Sequence, residues 1–126
     1  MDMDLVKFRA LKMRLQREGR LELRVASTSM QPVIWKDQAV VAEEVNPKEL
    51  KKFDIIIFWQ QQKIFCHLLW HIQKNEKNED IFITKSLENP CEIDMPLKEE
   101  LLLGKVNATI PIYLKLIMWL KNFRND

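Results

Sequence analysis

Ser29 and His67 are the residues of this chain whose types and settings could together do chemistry. Ser29 sits in the run Ser27-Thr28-Ser29-Met30-Gln31-Pro32, and His67 in the apolar run Ile64-Phe65-Cys66-His67-Leu68-Leu69-Trp70. A serine hydroxyl is a weak nucleophile near neutral pH. Acyl transfer therefore needs a neighbouring general base, together with N–H or O–H donors aimed at the developing oxyanion. Ser29 as nucleophile, His67 as base and the Ser27 hydroxyl as a donor would supply those parts. Each residue also has an ordinary reading: a serine before a turn can simply cap a helix N-terminus, and a histidine in an apolar strand can be a hydrogen-bonded core residue.

These side chains must be positioned by the surrounding elements. Leu5, Val6, Phe8, Ala10, Leu11, Met13 and Leu15 alternate with basic residues at helical spacing, and Gly19 stands where a C-cap would end the helix, so the pattern predicts a helix over 4–18. Leu21-Glu22-Leu23-Arg24-Val25 alternates with period two and reads as a strand delivering the chain to Ser27. Strands rich in β-branched and aromatic residues are predicted at 39–42, 55–59, 64–72, 81–84 and 101–106. Gln60-Gln61-Gln62-Lys63 and the polar run 74–80 read as hairpin loops. Strict alternation along 64–72 would put Phe65, His67, Leu69 and His71 on one face, with His71 at the rim. Pro111 opens a second helix, to about Phe123, whose apolar residues cover most of its circumference. The expected architecture is one domain over 1–126: an N-terminal helix 4–18, a mainly β core over 21–106 and a C-terminal helix 111–123.

The order of short motifs resembles the signal peptidase I family, in its histidine-containing branch of archaeal, endoplasmic-reticulum and sporulation-type enzymes. The shared order is Ser-Met-x-Pro at Ser29 to Pro32, Asp37 five residues beyond the proline, Asp54 opening a β-branched strand, strand-borne His67 and Thr84-Lys85 followed by acids. It covers roughly Ser27 to Val106, about 80 of 126 residues. The resemblance implies an antiparallel coiled β-sheet or partly open barrel, and a serine endopeptidase in which Ser29 is the nucleophile and His67 the base. It also implies an oxyanion hole formed by the Ser27 hydroxyl and the Ser29 N–H, and an extended peptide substrate with small residues near the cut. By position it takes Asp94 as the acid orienting His67, with Glu88 and Glu92 as competitors. The chain departs from the family where Gly-Asp pairs become Lys36-Asp37, Phe53-Asp54 and Ser86-Leu87, and where Leu68 follows the base in place of arginine. The lost glycines imply altered turns. A related branch, the LexA-type repressors, uses a Ser-Lys dyad and cuts its own chain at Ala-Gly or Cys-Gly. Neither dipeptide occurs here, and Lys63 falls in a predicted loop.

Composition bounds the remaining choices. A length of 126 residues with 47% apolar and 30% charged side chains fits a folded domain with a real core. Net charge is +2, and the first 24 residues carry seven Lys or Arg against four Asp or Glu, too mild a bias to indicate nucleic acid. Cys66 and Cys91 form no CxxC pattern, which argues against a disulfide framework and suits a reducing cytoplasm. With His67 and His71 they make no recognisable ligand set, so no metal or cofactor is implied. No run reaches the roughly 18 apolar residues of a membrane span, and basic residues punctuate the N-terminus as they would not in a signal peptide. The expected partner is a peptide or protein substrate in the cytoplasm, with peripheral membrane contact or a homodimer through the C-terminal helix as further readings. The alternative function is a non-catalytic peptide- or protein-binding module on the same β scaffold.

Overall fold

The computed structural model of the chain describes residues 2–123. Helix α1 spans Leu5–Glu18. The Asp4 carboxylate accepts the Lys7 N–H at 2.8 Å, and Gly19, at φ +82°, donates to the Leu15 carbonyl at 2.7 Å, so a side chain closes one end and a left-handed glycine the other. Seven strands follow: β1 Arg20–Arg24, β2 Ala39–Glu43, β3 Ile55–Gln60, β4 Lys63–Lys74, β5 Asp80–Lys85, β6 Leu97–Lys98 and β7 Leu102–Val106. Helix α2, Ile112–Phe123, comes last, its first turn closed by the Leu114 and Lys115 N–H groups bonding the Pro111 carbonyl.

The strands form a single antiparallel sheet in the order β1-β2-β7-β3-β4-β5-β6. The fold is mainly β as expected, and the sheet stays open rather than closing into a barrel, with β1 and β6 at its ends. The two-residue strand β6 was not foreseen, because Pro96 interrupts the segment just before it and two residues carry no period.

Core residues lie on both faces. Along β3, Ile55 and Ile57 join a cluster with Phe8 and Leu15 of α1, Met30, Ile34 and Leu68, while Ile56 and Phe58 join Leu69, Phe82, Leu97 and Leu102. A central strand buried on both faces reads as an unbroken apolar run, which is how residues 55–59 appear in the sequence.

Two turns differ from expectation. Gln61 and Gln62, at φ +51° and +65°, form a two-residue hairpin turn with both residues left-handed, so Lys63 is the first residue of β4 and not part of a loop. Phe53, at φ +75°, keeps the left-handed conformation that glycine favours at a position where the resemblance expects glycine. Its N–H bonds the Leu69 carbonyl at 2.6 Å, and its ring packs edge-on against Trp70 with centroids 5.8 Å apart. Tertiary contacts here hold a conformation that the residue itself disfavours.

Gly104 of β7 packs against α1 and β2 with no room for a side chain. A Cβ there would lie 2.5 Å from the Glu43 carbonyl oxygen and 2.9 Å from Leu15 Cδ2. Gly104→Ala is expected to destabilise the fold by about 1–3 kcal/mol, the usual cost of overpacking, read as a lower urea midpoint at unchanged m-value.

Candidate active site

The loop carrying Ser29 is an excursion from the β1–β2 hairpin. Its base is strapped by the Val25 N–H to the Gln38 carbonyl at 3.0 Å and the Asp37 N–H to the Val25 carbonyl at 2.7 Å. Within it the chain coils tightly, with the Gln31 N–H bonding the Thr28 carbonyl and the Val33 and Ile34 N–H groups bonding that of Met30. Met30 and Ile34 are fully buried, so apolar anchors on the turn fix the backbone that presents Ser29. No helix begins here, and the Ser29 hydroxyl bonds two side chains instead of capping one.

His67 is held by β4. Its partner across β3 is Ile56, and its ring lies against Phe58 and Phe65, with centroids 5.8 and 5.5 Å away. At 7% exposure the imidazole is nearly dry, so its two nitrogens need protein partners. Nδ1 lies 2.7 Å from Asp94 Oδ2, and Nε2 lies 3.2 Å from Ser29 Oγ. A carboxylate only accepts, which puts the proton on Nδ1 and leaves the Nε2 lone pair for the Ser29 hydroxyl. The Ser27 and Ser29 hydroxyls are 2.9 Å apart, and the Ser29 N–H reaches Ser27 Oγ at 3.4 Å. With Ser29 donating to His67, Ser27 donates to Ser29 Oγ.

Asp94 is positioned as firmly as His67. Thr84, fully buried on β5, donates its hydroxyl to the same Asp94 Oδ2 at 2.6 Å, and the Asp94 N–H bonds the Thr84 carbonyl at 2.9 Å. Next along the chain, the Met95 carbonyl accepts from the Gln60 side chain at 2.6 Å. The loop between β5 and Asp94 also grips the serine: the Leu87 and Glu88 N–H groups both bond the Ser29 carbonyl, at 2.9 and 3.0 Å. Burial works to raise the Asp94 pKa, but the hydrogen bond and charge of His67, with the Thr84 hydrogen bond, outweigh it and hold the carboxyl below its ordinary range.

Of the residues singled out in the sequence, Ser27, Ser29, His67 and Asp94 are brought into one hydrogen-bonded chain. Glu88 and Glu92 are exposed on the rim of the adjoining cleft. His71 does not share a face with His67. The β4–β5 register shifts between Leu69 and His71, which inserts one extra residue and inverts the side-chain alternation beyond it, so His71 is exposed on the opposite face. The role of Thr84 was missed: Thr84-Lys85 stood out only as part of a motif, and no local signal tells which threonine of a strand will face a carboxylate. Among the described residues, no group of three His, Cys, Asp or Glu side chains is placed to hold a metal ion.

Beside this chain of groups lies a cleft of about 440 Å³. One wall is Leu23 to Ser27, the end of edge strand β1 and its continuation; the other is Lys63 to His67. Consecutive residues of both parities line the second wall, so the cleft runs along the edge of β4 and not over one face. That edge is open because β5 pairs with β4 only from Leu68 onward. The N-terminal segment closes the far end, through an Asp2–Lys63 bridge and the Met3 N–H on the Gln62 carbonyl at 2.8 Å. Val40, Ile57 and Cys66 add to an apolar lining, and burial pushes the Cys66 thiol up to about 12, leaving it unreactive. No family model, curated protein or solved structure matches the chain.

A carboxyl with a lowered folded pKa contributes stability that is complete above its unfolded pKa and is lost as pH falls through the folded value. Asp94→Asn should therefore lower unfolding free energy at pH 7, and the difference from wild type should vanish in acid, as measured by urea denaturation across pH. Thr84→Val, which removes one of the lowering contacts, should move the Asp94 titration upward when followed by carboxyl NMR.

Proposed function

We propose that this protein is a serine endopeptidase of signal peptidase I type, cutting an extended peptide by acyl-enzyme chemistry. One observation carries the reading: an unbroken hydrogen-bond sequence from Ser27 through Ser29 and His67 to Asp94 and Thr84, opening on a cleft flanked by two free strand edges.

In this reading the peptide lies between Leu23–Ser27 and Ile64–His67 and pairs with their exposed backbone. The uncovered stretch of β4 is four residues, about 13 Å, which suits a short substrate segment. Val25, Val40 and Ile57 face the side chain nearest the cut and favour an apolar residue, since a charged one would lose hydration without gaining a partner. His67 Nε2 takes the proton as Ser29 Oγ bonds to the scissile carbonyl carbon. The carbonyl oxygen becomes an oxyanion, held by the Ser29 N–H and the Ser27 hydroxyl, which turns from Ser29 Oγ toward it. Collapse breaks the C–N bond, and His67 returns the proton to the leaving amine. Water, deprotonated by the same nitrogen, then attacks the ester, releasing the carboxylic acid and restoring Ser29. Asp94 keeps the Nδ1–H tautomer and stabilises the imidazolium throughout.

The decisive test pairs a fluorophosphonate probe with a peptide library. Wild type should be labelled at Ser29 and should cleave, while Ser29→Ala and His67→Ala should lose labelling and reduce kcat/KM by about 10⁴-fold or more. Binding of the same peptides by wild type and Ser29→Ala alike, with no labelling and no cleavage, would assign the cleft to a binding module instead.

A further inference from the structure

Helix α2 turns its most apolar surface away from the protein. Ile112, Tyr113, Leu116, Trp119, Leu120 and Phe123 are all more than half exposed, from 56% to 75%, and Ile117 is 43% exposed. The helix packs on the domain along one stripe only: Met118 and Asn122 are buried, with Leu114 and Lys115 half-buried beside them. At 100° per residue the seven exposed side chains fill a continuous arc of about 160°. Lys115 lies beyond one border of this arc and Lys121 at the other, and the helix contains no acid. Lys52 adds a third cation, lining the same recess as Trp119 and Phe123.

We propose that α2 is an in-plane membrane seat, its apolar arc lying in the headgroup–acyl boundary of an anionic bilayer. An apolar arc with aromatic residues, bordered on both sides by lysines whose stems can lie along apolar surface while their ammonium groups reach headgroups, is the arrangement such an interface selects. A two-fold contact through the same arc would set the basic borders of two helices against each other, whereas an anionic headgroup layer complements them. Twelve residues make a helix about 18 Å long, against a hydrocarbon core of about 30 Å, so the helix lies on the bilayer. Among the described residues no helix is long and apolar enough to cross a membrane. Ile93, 58% exposed, lines both the α2 recess and the cleft beside Asp94, so the seated helix would hold the cleft mouth next to the lipid surface. The proposal stands independently of whether Ser29 is a nucleophile.

The test is co-sedimentation of the full chain with vesicles of phosphatidylglycerol and phosphatidylcholine, and with phosphatidylcholine alone. Wild type should partition onto the anionic vesicles, less at high salt and less onto the neutral ones. The double variant Leu116→Glu, Leu120→Glu, changed only at exposed positions, should bind at least tenfold more weakly at an unchanged unfolding midpoint. Wild type left in the supernatant with both vesicle types overturns the proposal. If sedimentation velocity then shows a dimer that the double variant dissociates, the face belongs to a second copy of the chain; if it shows a monomer, the arc has neither role.

Discussion

Strand β4 pairs with β3 from Lys63 to Leu68 and with β5 from Leu68 to Lys74, and this exchange of partners at one residue decides where polar groups can go. Before Leu68 the edge away from β3 is uncovered; from Leu68 onward that edge is taken by β5, while the pairing with β3 ends. His67 is therefore the last residue before β5 joins β4, and its nearly dry ring reaches side-chain partners from neighbouring loops with both nitrogens. Continuing the end of β5 two residues beyond Lys85 would cover part of this stretch with a strand. Ending β5 two residues earlier would take Thr84 out of the sheet and remove its support from Asp94.

The same arrangement sets the electrostatics. An imidazole in an apolar setting is tolerated only if both nitrogens are satisfied, and here one meets a carboxylate and the other a hydroxyl. The carboxylate itself is half-buried and needs compensation, which Thr84 and His67 supply at a single oxygen. Among the described residues no buried side-chain nitrogen or oxygen lacks a hydrogen-bond partner, so the line of groups from Ser27 to Thr84 is closed rather than strained.

Much of this was legible in the chain, and what was not has identifiable causes. The strands could be read because β-branched and aromatic runs dominate local preference, and β3 and β7 landed within a residue or so of expectation. His67 was legible through its company; the separation of His71 from it was not, because a bulge inverts alternation without leaving a composition signal. The Gln61–Gln62 turn lacks the Asn-Gly or Gly signature, and Phe53 holds a glycine-like conformation through tertiary contacts alone. Asp94 could be selected over Glu88 and Glu92 only by resemblance, since which carboxylate folds back onto a strand depends on a loop anchored by distant groups.

Those anchors explain the one polar residue in the buried stripe of α2. Asn122 donates to the Pro90 carbonyl at 3.0 Å and to the Met118 carbonyl at 2.7 Å, and accepts from the Lys85 ammonium, which also lies 4.1 Å above the Trp70 ring. A leucine there would bury more apolar surface but would leave the Pro90 carbonyl and a buried lysine without this partner. The segment between Lys85 and Asp94 is thus fastened at both ends and in the middle: to the Ser29 carbonyl through Leu87 and Glu88, to α2 through Pro90, and to Thr84 through Asp94. Ser29, Asp94 and the C-terminal helix are consequently tied to one loop by hydrogen bonds, in addition to the apolar cluster that Met118 shares with Met30 and Ile34.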